Sequence, residues 1–191
     1  MEIKIAKIKA QNFKCFKDQE FVFSDKTLIS AKNGSGKSTI NDIVNWVLFD
    51  KLADGTKADN IRPHDSTGRD IDYIDIYCEL TLDVDGREIV IEKTQKQKWV
   101  KKKGHEEATF EGNANSYVVN TIPKTEKEFK VYMATIIDEE LFRMTSSAKP
   151  FLKMKVADRR KMLFDFVSKV TDADIIDSVP EFEVLRNDLS N

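Results

Sequence analysis

The chain has 191 residues, enough for one sizeable core or one core with a small appended lobe, and its charged (34%) and apolar (40%) shares are those of an ordinary globular protein. Its net charge of −2 does not announce a nucleic-acid partner, so any such binding has to come from a local patch. No apolar run approaches the ~20 residues of a bilayer-spanning helix and no secretory h-region opens the chain, so the expected setting is cytoplasmic, with no membrane partner.

In chain order, Ile3, Ile5 and Ile8 alternate with lysines over residues 1–10 and predict a strand with one solvated face. After Gln11-Asn12-Phe13-Lys14-Cys15-Phe16 a second strand is expected around Glu20 to Phe23, and Ser24-Asp25-Lys26 turns into a buried strand at Thr27-Leu28-Ile29. Cys15 and Cys78 lack metal-ligand spacing and read as packing thiols of a reducing compartment.

The most informative stretch is Ala31-Lys32-Asn33-Gly34-Ser35-Gly36-Lys37-Ser38-Thr39, followed by Ile40, Ile43, Val44, Val47 and Leu48 at helical spacing. A strand, a glycine-rich turn, Lys-Ser and then a helix is the pattern of a loop that cradles phosphates with its backbone N–H groups. The N–H groups of Gly34, Ser35, Gly36 and Lys37 are expected to converge on oxygen, with the helix dipole behind them. Lys37 is expected on the β- and γ-phosphates of ATP, the Ser38 hydroxyl on Mg²⁺ and Thr39 on the α-phosphate. The usual pattern opens with glycine where this chain has Ala31, a residue that enters positive φ only at a steric cost.

Helix 1 is expected from Lys37 to Asp50, with Trp46 and Phe49 against a sheet, and residues 51–70 read as a long loop in which His64 and Asp65 are solvated. Ile74, Ile76, Cys78, Leu80, Leu82 and Val84 alternate with polar residues, Asp85-Gly86 makes a hairpin turn, and Ile89 and Ile91 continue on the return strand. Further short strands are expected at residues 98–100, 108–110 and 117–119. Arg87, Lys93, Lys96, Lys98, Lys101, Lys102 and Lys103 outweigh Glu88 and Glu92, so with Trp99 this segment is either a phosphate-backbone patch or a lysine-guarded strand edge. Thr125 and Glu128 form a capping box for a helix carrying Phe129, Tyr132, Met133, Ile136, Ile137 and Leu141. A helix over 157–170 with Met162, Leu163, Phe166 and Val167 inward, a short one after Thr171 and a last apolar periodicity beyond Pro180 follow.

Asn12-Phe13-Lys14 after a first strand, a hairpin, the Asn-Gly-Ser-Gly-Lys-Ser loop and a helix ending Trp46-Val47-Leu48-Phe49 together resemble the N-terminal nucleotide-binding lobe of SMC-like ATPases such as RecF, RecN and SbcC. The resemblance implies an α/β P-loop NTPase of the ABC/SMC-head type, here its N-terminal half: a core over 1–70, an inserted antiparallel β-lobe over 71–122 and a helical subdomain over 123–191 that leads toward a coiled coil. It also implies that Lys14 approaches the phosphates, that Asn33 is the loop asparagine, and that the Arg159-Arg160 pair belongs to the family pattern. The chain has no glutamine after Gln97 for the family's metal-reaching loop, and no Ser-Gly-Gly signature, so a C-terminal half and a homodimer closing over ATP are the implied partners, with DNA as the object of repair, recombination or replication.

Ile136-Ile137-Asp138-Glu139 also reads as a strand ending in catalytic carboxylates, Asp138 for Mg²⁺ and Glu139 for water, but the helical period and the capping box favour a helix there. Two other readings therefore stay open: a self-sufficient NTPase or kinase using Asp138 and Glu139, and a non-hydrolysing, nucleotide-gated binding module.

Overall fold

The computed structural model describes residues 2–101, 107–146, 151–152, 154–167 and 178. The chain divides into two units, residues 1–143 and 144–191. In the first, six strands form one antiparallel sheet in the order β2-β1-β3-β4-β5-β6: β1 Ile3–Phe13, β2 Phe16–Val22, β3 Ile76–Val84, β4 Arg87–Val100, β5 Thr109–Val119 and β6 Ile122–Lys124.

Alternation decides which face is buried. Ile8, Leu80, Ile91 and Val119 lie opposite one another across four strands, as do Ala10, Cys78, Lys93 and Tyr117, and all eight are buried. Helix α1, Lys37–Phe49, packs on β1, β3 and β4 from this face, and α2, Glu126–Ile136, on β5 and β6. Trp46 is 1% exposed, with its ring centroid 5.4 Å from that of Phe13. Burying a ring system of this size contributes on the order of 2–3 kcal/mol.

Several expectations are corrected. Thr27-Leu28-Ile29 forms no strand, and Leu28 is 93% exposed. The segment finds no neighbouring strand among the described residues, and without one its peptide groups have water as their partner rather than a ladder. The strands after α1, expected as an inserted lobe, continue the sheet that contains β1 and β2. The short strands expected at 98–100, 108–110 and 117–119 are instead the ends of two long ones, because β4 and β5 pair with each other from Ile91 opposite Val119 to Val100 opposite Thr109 and that ladder carries both strands through their polar residues. Lys93 leaves the basic patch altogether: its side chain is wholly buried, while Lys96 pairs with Asp75 at 2.8 Å. Lys102 and Lys103 lie outside the described residues.

The capping box is present: the N–H of Glu128 donates to Thr125 Oγ1 and the N–H of Thr125 donates to Glu128 Oε2. Ile136 and Ile137 are buried at the end of α2, not in the sheet. Ile137 is extended (φ −134°, ψ 120°), and α3, Glu139–Ser146, begins anew after it, so Leu141 does not share the α2 face and is 43% exposed.

In the second unit α4 spans Val156–Val167. Leu163 and Phe164 are half-exposed, so the expected inward position of Leu163 is not seen, and Arg160 lies over the Phe164 ring at 5.5 Å. The helix expected after Thr171 and the periodicity beyond Pro180 fall outside the described residues.

Candidate nucleotide site

The loop at 31–39 curls at two glycines. Gly34 has φ +81° and Gly36 φ +94°, whereas Ala31 is not among the positive-φ residues, so the missing first glycine costs the loop no left-handed strain. At Gly34 a Cβ would meet open space. At Gly36 it would lie 2.7 Å from Cys15 Sγ and 2.8 Å from the Phe16 ring, so only glycine brings the loop this close to the β1–β2 turn. Gly36 also starts α1, with no side chain capping the helix and no acid in its first turn. The positive end of the dipole therefore faces the cradle with no acid of the helix's own first turn to neutralise it.

The cradle is a cavity of about 460 Å³ lined by Lys14, Cys15, Asn33, Gly34, Gly36, Lys37, Ser38 and Thr39. These include the predicted site residues apart from Ser35, whose N–H and hydroxyl both donate to the Lys32 carbonyl and brace the turn. The Lys37 ammonium donates to the carbonyls of Ala31 and Lys32, at 2.6 and 2.8 Å. A phosphate oxygen offers this exposed group a charged acceptor in place of two neutral ones. Thr39 is largely buried, and Cys15 Sγ sits 3.8 Å from its Oγ1.

Lys14 is held at three points. Its backbone is left-handed (φ 50°), its N–H donates to the Ile61 carbonyl, and its ammonium donates to Asp42 Oδ2 at 2.8 Å. Asp42 Oδ1 in turn accepts the N–H of Ala53, which ties α1 to the loop that follows it. Lys14 and Cys15 also line a second cavity, of about 450 Å³, with Leu52, Asn60, Arg62 and His64. His64 Nδ1 lies 2.9 Å from Asp70 Oδ1. Arg62 is 5% exposed; its Nη1 donates to the carbonyls of Ile71 and Ile74, while its Nε and Nη2 have no hydrogen-bond partner.

Asp138 and Glu139 line neither of these cavities. Asp138 caps α3 by accepting the N–H of Leu141 at 2.7 Å, and Glu139 pairs with Lys51. Among the described residues no group of three His, Cys, Asp or Glu side chains could hold a metal, so a cation here would rest on Ser38 and on oxygens brought by the ligand, which suits Mg²⁺. Asp42, Arg62 and the exposed Cys15 are the site residues that sequence reading missed. Of the two thiols only Cys78 has the expected packing role.

The model of the family described as AAA domain matches residues 7–183. This chain belongs to that family. The match bears out the resemblance to the N-terminal nucleotide-binding lobe of SMC-like ATPases. The structure of the recombination mediator protein RecF with ATP superposes with a TM-score of 0.50 at 17% identity, over 88% of this chain and 40% of RecF, and shows the P-loop ATPase fold. A second RecF structure, titled as bound to ATPrS, matches at a TM-score of 0.47 and 18% identity over 66% of this chain and 29% of its own. Uncharacterized protein 050L of Invertebrate iridescent virus 6 is 35% identical over 75 residues, 39% of this chain and 7% of that protein. The AAA domain chain thus spans less than half the length of each of these relatives. No described helix is long and apolar enough to cross a membrane.

Proposed function

We propose that the chain binds ATP with Mg²⁺ in the loop at 31–39 and acts as the N-terminal half of a head that hydrolyses only when a C-terminal half completes it. The observation that carries the first part is the uncapped start of α1 at Gly36, a left-handed glycine wedged against Cys15 and Phe16 behind a cavity walled by Lys37 and Lys14. Lys37 would move from its two carbonyls to the β- and γ-phosphates, Ser38 would hold Mg²⁺, and Asn33, Gly34, Ser35, Gly36 and Thr39 would complete the cradle. The second cavity shares Lys14 and Cys15 with the first and is where the nucleoside end would extend.

Support for a second half comes from Leu28 and Ile29, an apolar segment leading into the loop that has no strand partner among the described residues and stays exposed. A strand supplied by the C-terminal half would pair with it and bury both residues. Neither cavity is lined by Asp138 or Glu139, and among the described residues no carboxylate lines the cradle, so this part of the chain brings positioning and Lys37 to hydrolysis. Closure of two such heads over nucleotide, and action on DNA in repair, recombination or replication, extend this reading by analogy with RecF, whose structure is titled as a recombination mediator with ATP. The strands of 71–122, which continue the sheet of β1 and β2, and the helical region 123–191 would then make up the rest of this half and its approach to a coiled coil.

Isothermal titration with ATP–Mg²⁺ tests the reading. Binding that falls at least ~10-fold in Lys37→Ala is expected, since a charge-assisted bond contributes about 1.5–3 kcal/mol. Turnover by the chain alone should be negligible. Absence of binding overturns the site, and robust turnover by the isolated chain overturns the half-head.

A further inference from the structure

Ser38 and Asp42 stand four residues apart on α1, on one face of the helix and about 6 Å apart along its axis, so Asp42 lies one turn below a residue that lines the cradle. Its two carboxylate oxygens have separate tasks. Oδ2 accepts the Lys14 ammonium at 2.8 Å, and Oδ1 accepts the N–H of Ala53 at 3.0 Å. The Lys14 and Asp42 side chains are 26% and 16% exposed, so water screens their attraction less than that of a surface pair.

The backbone of Lys14 is fixed by its left-handed φ and by its N–H bond to the Ile61 carbonyl, while its four-carbon stem leaves the ammonium able to swing. The same residue lines the cradle beside Lys37 and Ser38. One ammonium is therefore within reach of two anions, a carboxylate that belongs to the protein and the phosphate chain of a nucleotide. Asp42 makes no other ion pair among the described residues. When Lys14 turns to phosphate, Asp42 keeps only the neutral N–H of Ala53, and a partly buried carboxylate that loses its counter-charge is costly. That cost is subtracted from nucleotide binding.

We propose that Asp42 is a positioning residue that sets nucleotide affinity: it holds Lys14 on the flank of α1 and competes with nucleotide phosphates for its ammonium, so that nucleotide binds more weakly than the cradle alone would allow. Oδ1 meanwhile keeps the N–H of Ala53, so the residue that follows Leu52 in the wall of the second cavity stays tied to α1 whichever anion has the ammonium. An aspartate with a purely structural role would behave otherwise. Its loss would lower stability and nucleotide affinity together, whereas competition moves the two in opposite directions.

The inference rests on the nucleotide reading, so the full chain is titrated first with ATP–Mg²⁺. No binding by wild type and by Asp42→Asn alike defeats the nucleotide reading and this proposal with it, whereas the remaining outcomes bear on Asp42 alone. Asparagine has the shape of aspartate and keeps an oxygen for the N–H of Ala53, but offers Lys14 no charge. Asp42→Asn should bind ATP–Mg²⁺ at least ~3-fold more tightly than wild type while unfolding at a lower urea concentration. Inorganic tripolyphosphate with Mg²⁺ should show the same gain, because the contest is for phosphate charge and not for the base. Lys14→Ala should cost more affinity in the Asp42→Asn background than in wild type, since only there is the ammonium unshared. In wild type, where no variant has to fold, the Asp42 carboxyl carbon resonance should move when tripolyphosphate is added. Unchanged or weaker binding by Asp42→Asn, a gain confined to ATP, equal costs of Lys14→Ala in the two backgrounds, or an unmoved Asp42 resonance would each overturn the proposal.

Discussion

Lys93, in the middle of β4, donates from its ammonium to the carbonyl of Trp46 in the last turn of α1, at 2.6 Å. That carbonyl also accepts the N–H of Asp50, so the ammonium adds a second donor to it and brings a positive charge to the negative end of the dipole. The same ammonium pairs with Asp50 and lies over the rings of Trp46 and Tyr117, 4.5 and 5.2 Å from their centroids. Asp50, left-handed just past the helix, is also reached by the Tyr117 hydroxyl and the Asn115 amide. One buried lysine thus anchors the far end of the helix whose near end forms the cradle. Lys93→Met should lower the unfolding free energy by about 2–4 kcal/mol at neutral pH in urea titration, because Asp50 keeps two neutral donors but loses its counter-charge.

The same residue gives a pH signature. Burial lowers the Lys93 pKa to about 8, with Asp50 opposing, while an unfolded lysine titrates near ~10.4. Between these values the unfolded chain holds a proton that the folded chain has released, so this group adds stability as pH rises through the window. Cys78 acts oppositely from about 8.5 upward, because its buried thiol stays protonated when the unfolded one ionises. The quantity to measure is therefore the difference between wild type and Lys93→Met across pH 8–10, where both carry Cys78. Wild type should gain on the variant, and a flat difference would refute the lowered lysine.

Gly34 and Gly36 share a left-handed backbone but not their surroundings, so alanine at each separates strain from collision. Gly34→Ala should cost only the conformational penalty, about 1–2 kcal/mol. Gly36→Ala adds contacts under 3 Å with Cys15 and Phe16 and should cost more, about 2–4 kcal/mol, with the loop forced off the helix start. Denaturant unfolding orders the two variants. Equal costs would mean that the β1–β2 turn yields easily to the loop.

What the sequence made legible was local chemistry. The glycines, Lys37 and Ser38 announce the cradle because phosphate binding needs a curled backbone and a helix start within a few residues. Thr125 and Glu128 announce α2 because a capping box closes within one turn. Hidden were the relationships that only the sheet creates. Lys93 sits among lysines in the sequence and reads as surface, yet register places it in a buried row with Cys78 and Tyr117. Arg62 and Cys15 are separated by a helix and a loop, and nothing in their spacing places them on one cavity. Leu28 failed for the opposite reason: its apolar neighbours predict a strand, but a strand is a property of two segments.

Lys14 and Asp42 form a partly buried ion pair across 28 residues, and nucleotide phosphates would compete for the same ammonium. A double-mutant cycle with Lys14→Ala and Asp42→Ala should give a coupling of about 1–2 kcal/mol in unfolding experiments without nucleotide. With saturating ATP–Mg²⁺ the coupling should shrink, because Lys14 then has a second anion to satisfy it. An unchanged coupling would keep Lys14 on Asp42 and remove it from the phosphate site.

Asp138 and Glu139 offer the sharpest separation between a half-head and a self-sufficient enzyme. Asp138 accepts the N–H of Leu141, as an N-cap carboxylate does, so Asp138→Ala should cost about 1 kcal/mol of stability. Glu139 pairs with Lys51, with both side chains more than a third exposed, so Glu139→Gln should cost under ~1 kcal/mol. Neither residue lines the cradle, so both variants should bind ATP–Mg²⁺ with wild-type affinity by titration calorimetry. When a C-terminal half is supplied and turnover appears, that turnover should survive Glu139→Gln, since the carboxylate that activates water would arrive with the added half. Loss of turnover in Glu139→Gln with intact nucleotide binding would restore the compact, one-chain enzyme.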